Sequence, residues 1–192
     1  MAEMRATTVI AVRLGGAIAM AGDGQITVGD TIMKQTAVKI RAVHNGRVLA
    51  GFAGSVADAL TLFDRFEIQL ERNGGHLRKS AISLAKDWRT DRFLRRLEAQ
   101  LVLGDPETLL LVNGEGEIIE PDNNVVAIGS GGTYALAAAQ ALLRYTSLSA
   151  AEVARASMEI AGSICIYTND QITLQCIDAG QPAGTAEEGE RV

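Results

Sequence analysis

No apolar run in the 192-residue chain approaches the ~18 residues that a membrane span needs. The first six residues, MAEMRA, lack the apolar stretch of a secretory signal. Cysteine is scarce: Cys165 and Cys176 stand alone, without the close spacing of a metal site. Reduced thiols in a cytoplasmic protein are the expectation. The two histidines, His44 and His76, are far apart in polar, turn-like contexts, so a His/Cys metal site is not expected. A Ser-His-Asp hydrolase would need a histidine base, and no G-x-S-x-G elbow is present. Also missing are GxxxxGK(S/T) and a GxGxxG with a following acidic partner. No long basic stripe occurs, and the net charge is −5, so nucleic acid is not expected as a partner. The densest basic patch, Arg89, Arg92, Arg95 and Arg96, reads as a solvated or salt-bridged helix face.

What remains is an ordinary globular balance, 47% apolar and 21% charged, in a length that favours one domain. Residues 8–13 (TVIAVR) and 17–21 are apolar, β-branched runs joined by Leu14-Gly15-Gly16, a hairpin signal. Residues 31–34 and 38–43 read as a further short strand pair. Asn45-Gly46 then turns the chain into a strand over 47–53. The period next changes. Val56, Leu60, Phe63, Phe66 and Leu70 mark one helix face, with Ser55 and Asp58 in a capping-box pattern and Asn73-Gly74-Gly75 as the stop. Leu77, Ala81, Leu84 and Trp88 mark a second helix. Strands are expected at 100–103, 108–112, 117–119 and 125–128. Two more helices carry Tyr134, Ala138, Ala141 and Tyr145, then Val153, Ala156 and Ile160 behind Ser149 and Glu152. A last strand spans 172–177. From Asp178 the composition turns to Gly, Ala, Glu and Pro, which predicts a disordered tail over 178–192.

Strands, two helices, strands, two helices and a strand do not form alternating βαβ units. Two antiparallel sheets face to face, with a helix pair on each outer face, would bury all four apolar helix stripes. That is a four-layer α/β/β/α sandwich; a two-layer α+β fold also fits the pattern.

Two places could carry chemistry. Gly129-Ser130-Gly131-Gly132 lies between a strand and a helix and reads either as an anion-binding loop or as a close backbone contact. Thr7-Thr8 opens the first strand, where threonine is common for structural reasons alone. If Thr7 became the first residue, its α-amine, with a pKa of about 7.7–8.0, could serve as general base to its own hydroxyl. A nearby lysine would hold that amine unprotonated by like-charge repulsion, and an acidic residue would hold the lysine. Lys39 and Asp23 have the right types, though each is also an ordinary surface charge.

A set of segments in one order carries a resemblance. Residues 7–13 (TTVIAVR), 21–25 (AGDGQ), Met33-Lys34, Val38-Lys39, 50–54 (AGFAG) and Ala57-Asp58 belong to it. So do 85–92 (AKDWRTDR), 128–132 (IGSGG) and 164–169 (ICIYTN). From Thr7 to about Ile177 the chain resembles the HslV (ClpQ) family, the proteasome-like peptidase subunits of bacterial ATP-dependent proteases. AKDWRTDR in register with the rest is the most specific segment.

The resemblance implies an N-terminal-nucleophile hydrolase domain over 7–177, preceded by a leader, residues 1–6, that must be removed. It implies an α+β fold of the four-layer type and a threonine endopeptidase with Thr7 as nucleophile. Lys39 falls on the family's catalytic lysine, Asp23 on its acidic partner and Ser130 on the serine that supports the amine. Gly51 and Gly54 fall on the segment that lines the substrate cleft and supplies oxyanion donors. Gly162, Cys165 and Thr168 fall on backbone carbonyls that bind a monovalent cation, usually Na+. The implied partners are eleven further copies, in two stacked hexameric rings, and a hexameric AAA+ ATPase, HslU. That ATPase would consume the ATP and feed in unfolded protein substrates. A mean hydropathy of +0.13 agrees with surface reserved for assembly. A catalytically silent ring subunit and a small-molecule amidase of the same fold are the alternatives.

Overall fold

Alternation along the central strands divides their side chains between separate cores. In the strand β2, Thr8–Leu14, Ile10 and Val12 face one way, while Val9 and Ala11 face the other. In β3, Ala17–Gly22, Ala19 and Ala21 join the first set, and Ile18 and Met20 the second. A strand buried on both faces must sit inside a stack of layers.

The computed structural model describes residues 4–5, 7–92, 94, 99–113, 115–181 and 183–185. The remaining strands are β1 Met4–Arg5, β4 Ile26–Val28, β5 Thr31–Lys34, β6 Ile40–Val43, β7 Val48–Gly54, β8 Ala99–Gly104, β9 Leu109–Val112, β10 Ile118–Ile119, β11 Val125–Gly129, β12 Thr173–Asp178 and β13 Gly184–Thr185. The helices are α1 Val56–Arg72, α2 Leu77–Thr90, α3 Gly132–Tyr145 and α4 Ala150–Ile164.

One antiparallel sheet has the order β10-β9-β8-β7-β6, and a second has the order β11-β2-β3-β12-β13. Val9, Ile18 and Met20 of the second sheet meet Ile40, Leu49, Val102 and Leu109 of the first between the layers. The outer face of the first sheet, through Phe52, Leu101 and Leu103, packs on Phe63, Phe66, Leu84 and Trp88 of α1 and α2. The outer face of the second packs on Ala135, Ala139, Val153 and Met158 of α3 and α4, where alanines let the helices come close. The fold is therefore the four-layer α/β/β/α sandwich, and the two-layer alternative is excluded. At Gly51 the sheets approach so closely that a Cβ would lie 2.8 Å from both Met20 Sδ and Val9 Cγ1.

Two sequence expectations change. Residues 31–34 were expected to pair with 38–43. Instead β5 pairs with β4 through the turn at Gly29, whose φ is +57°. The second run shortens to β6 and pairs with β7 across a turn in which His44, Asn45 and Gly46 all have positive φ. Both runs have strand-forming side chains, but propensity does not choose a partner; the turns do. The tail, expected to be disordered from 178, is ordered at its start. Ala179 N donates to Gly16 O and Ala183 N to Gly46 O, and β13 adds to the β12 edge. Backbone pairing supplies what the side chains lack. Residues 186–192 lie outside the described residues, as do Arg95 and Arg96 of the basic patch, whose Arg89 and Arg92 are exposed.

Of residues 1–6, Met4 and Arg5 pair antiparallel with Val28 and Thr27 on β4, making a small third sheet, β1-β4-β5; residues 1–3 and 6 lie outside the described residues. Among the described residues no helix is long and apolar enough to cross a membrane.

Helix starts follow the sequence closely. Ser55 Oγ accepts Asp58 N, and at α4 the Ser149–Glu152 box is closed in both directions. Ser149→Ala opens that box and is expected to cost about 1 kcal/mol of stability, read from urea unfolding. A loss near zero would mean that packing alone fixes the start of α4.

Candidate active site

Five segments meet where β2 begins: Thr7-Thr8, the residues after β3, those before β6, the β11–α3 loop and the chain after α4. Asp23 sits at their centre, fully buried. Its Oδ1 accepts Thr8 N at 2.8 Å and Lys39 Nζ at 2.7 Å. Its Oδ2 accepts Gln25 N at 2.9 Å and, more distantly, Asn169 N at 3.5 Å. These four donors meet the hydrogen-bonding needs of the buried carboxyl group without water. Lys39 is only 2% exposed and also donates to Gln25 O at 2.6 Å. Burial pulls its pKa below the usual lysine range, against the opposing pull of Asp23. Its ammonium therefore gives up a proton more readily than one in solvent.

The glycine loop is explained by what it touches. Gly129 has a φ of +85°, and a Cβ there would fall 1.8 Å from Thr7 O. A Cβ on Gly131 would fall 2.5 Å from Thr168 Oγ1 and 2.6 Å from Thr8 Oγ1. Ser130 N donates to Thr7 O at 2.8 Å, and Gly131 N donates to Thr8 Oγ1 at 2.9 Å. These amides, which a phosphate would need, are spent on the start of β2. The loop is a backbone clamp, and the anion-binding reading falls. Thr7 itself is buried, whereas Ser130 is exposed at the loop's surface.

Gly51 and Gly54 play different parts. Phe52 N donates to Lys39 O. The period-two alternation of a strand then points Gly51 N–H the other way, toward its partner Val102 on β8. Gly51 is buried between two neighbouring strands and presents no amide to a cleft. Gly54, exposed at the end of β7 with a φ of +135°, directs its N–H to the same side as Phe52, beyond the end of β6.

The three residues matched to a cation site share one turn at the end of α4. Cys165 caps the helix, with its N–H on Ala161 O, and its carbonyl accepts Thr168 N at 3.0 Å. A Cβ on Gly162 would lie 3.8 Å from Thr168 O. Helix-terminal carbonyls carry partial negative charge and suit a hard cation. Among the described residues no group of three or more His, Cys, Asp or Glu side chains is placed to hold a metal. His44 and His76 border a separate cleft of about 900 Å³ formed by hairpin turns and the start of α2, away from these groups.

Sequence reasoning did not single out Gln25, Thr8 or Asn169 as working parts. Thr8 Oγ1 pairs with Thr168 Oγ1 at 2.7 Å, and Gln25 Nε2 reaches Thr27 Oγ1 and Ile166 O, both at 2.9 Å. The Thr8–Thr168 and Gln25–Ile166 contacts join residues far apart in the chain, which leaves no spacing signal.

The proteasome subunit family model matches residues 3–177. The ATP-dependent protease subunit HslV of Pseudothermotoga lettingae is 58% identical over 173 residues, covering 90% of this chain and 98% of that protein. The subunit of the same name from Desulfovibrio desulfuricans is 55% identical over 176 residues, covering 91% and 99%. Among solved structures, eukaryotic HslV from Trypanosoma brucei superposes with a TM-score of 0.84 at 40% identity, covering 89% of this chain and 99% of that one. Thiobacillus denitrificans BPH shares the fold, with a TM-score of 0.69 at 24% identity over 90% of this chain and 98% of that one.

The buried pair sets an order of stabilities. Asp23→Ala leaves an uncompensated ammonium and is expected to cost about 3–5 kcal/mol. Lys39→Ala is expected to cost less, because Asp23 keeps the N–H groups of Thr8, Gln25 and Asn169. Urea unfolding of both variants gives the order, and the reverse order would contradict this account of the carboxylate.

Proposed function

Because the chain belongs to the HslV family of proteasome-like peptidases, the core subunits of ATP-dependent proteases, we propose that Thr7 is the nucleophile with which it cuts peptide bonds. The observation that carries this assignment is the convergence on Thr7-Thr8 of the buried Asp23–Lys39 pair from one side and the Gly129–Gly131 clamp from the other.

Removal of residues 1–6 frees the Thr7 α-amine. The hydroxyl proton passes to that amine as Thr7 Oγ attacks the scissile carbonyl. The C–N bond breaks, the proton leaves with the new amine, and an ester to Thr7 remains. Water adds to the ester, releases the acid and restores the hydroxyl. The Lys39 ammonium holds the amine in its neutral form by repulsion, and Asp23 keeps Lys39 in place. The Ser130 hydroxyl supports the amine. Gly54 N–H, aimed to the Lys39 side, is the better oxyanion donor; Gly51 sets the spacing of the sheets.

The leader's pairing supports a path for substrate. Met4-Arg5 lies antiparallel to Thr27 and Val28. An extended peptide on the same β4 edge would deliver its scissile bond to Thr7.

Carbonyls of Gly162, Cys165 and Thr168 would hold a monovalent cation, with Na+ as our choice, which would brace the turn that carries Thr168. The subunits would form two stacked six-membered rings, with a hexameric AAA+ ATPase of the HslU type spending ATP to unfold and thread substrate proteins. Exposed Ile32, Met33, Ile164 and Ile166 support assembly. The free thiols of Cys165 and Cys176 suit a cytoplasmic setting.

Thr7→Ala is expected to abolish peptide hydrolysis while leaving the ring mass unchanged, as read by turnover and by sedimentation of the same preparation. Residual turnover near the parent rate would remove Thr7 from the role. Intact mass tests the leader: activity is expected only in protein whose mass corresponds to residues 7–192. Turnover by protein that still carries residues 1–6 would exclude the amine as base.

A further inference from the structure

We infer that Asn169 is a positioning residue that clamps the two loops bearing Asp23 and Lys39; this rests on the reading of Thr7 as nucleophile. Asp23 lies on the chain leaving β3, and Lys39 lies on the chain entering β6. Both residues lie just outside the strands, each tied by a single further backbone bond (Asp23 N to Thr8 O, Phe52 N to Lys39 O), and their charged groups meet at 2.7 Å. The loops also touch directly. Ala37 N donates to Gly24 O at 2.9 Å, and a Cβ on Gly24 would fall 2.1 Å from Gln35 O.

Asn169 closes this contact from outside. Its Oδ1 accepts Gly24 N at 3.0 Å, next to Asp23, while its Nδ2 donates to Gln35 O at 2.9 Å, upstream of Lys39. One planar amide therefore spans both loops, using its acceptor on one and its donor on the other. Gln171 N, at 3.2 Å on the same Oδ1, fixes the amide's own orientation. The backbone N–H of Asn169 adds the longer contact to Asp23 Oδ2. Aspartate has the same shape but no donor, and its second oxygen would face the Gln35 carbonyl. Alanine keeps only the backbone contact.

A displacement of the lysine by a fraction of an ångström changes its distance to the Thr7 amine, while the β4–β5 ladder holds the edge on which substrate lies. The effect of losing the clamp therefore falls on the chemical step. In the processed full chain with its ATPase, Asn169→Ala and Asn169→Asp are expected to lower kcat at least about tenfold, with KM held within about threefold. Amide exchange read on the same proteins needs no turnover. It is expected to quicken at residues 23–25 and 35–39 and to stay unchanged in the helices. A kcat within about twofold of the parent overturns the inference. So does exchange that is unchanged at both loops, or that quickens throughout the chain. A processed parent without activity, or an active Thr7→Ala variant, would overturn the nucleophile instead, and the exchange result would still decide the clamp.

Discussion

A carboxylate with no solvent exposure faces an ammonium that is almost as deeply buried, and the rest of the site is arranged around that contact. Removing two charges from water costs several kcal/mol per ion unless nearly all their hydrogen-bonding capacity is met inside. Here it is met mostly by backbone: Thr8, Gln25 and Asn169 give N–H groups to Asp23, and the Gln25 carbonyl receives Lys39. Backbone donors can be supplied only by segments held in fixed positions. The pair therefore imposes a condition on the fold, namely that three chain segments distant in sequence end at one place.

The sandwich meets that condition through its strand order. β2 and β3 are neighbours, so the start of one and the end of the other lie side by side, and Asp23 N returns to Thr8 O. β6 is the edge of the opposing sheet, and Lys39 enters from that edge. The α4 end reaches across β2 and β3 to bring Thr168 and Asn169 to the same spot. Gly51 matters at this level. Without the close approach it allows between the sheets, β6 would stand farther from β3, and the lysine could not span the gap.

Much of this was legible in the sequence because it depends on side-chain period. Val9 to Val12 alternate between two cores, and Phe63, Phe66 and Leu70 form a helical stripe, so layers and element types follow from pattern. Strand partnership was legible only where a hairpin signal marked it, at Gly15-Gly16 and Asn45-Gly46. Residues 31–34 look the same to a propensity rule whether they pair with 26–28 or with 38–43, and the turn at Gly29 decides. The glycine loop was visible as a loop, but only coordinates separate an amide offered to a phosphate from one already bound to Thr7. Asp23, Lys39 and Ser130 came from resemblance, since isolated charges and a lone serine have no spacing that marks them. Asn169 escaped because its partners are carbonyl and amide groups, which every residue possesses.

The proposed role of Thr7 demands a free amine, which looks at first incompatible with a finished fold, because chemistry would then wait on a cut made beside the core. The hydrogen bonds around Thr7 resolve this. Its carbonyl is held by Ser130 N, the next amide by Asp23, and the next hydroxyl by Gly131 and Thr168. All these anchors lie on the C-terminal side of the bond to be cut. The pairing of Met4 and Arg5 is a two-residue ladder on Val28 and Thr27 of β4, separate from those bonds. Cleavage as proposed would therefore release a short edge strand and leave the supports of Thr7 in place. A chain whose site must be assembled before it is unmasked gains from this one-sided anchoring: the bonds that fix the Thr7 carbonyl and Thr8 exist while the nitrogen is still an amide.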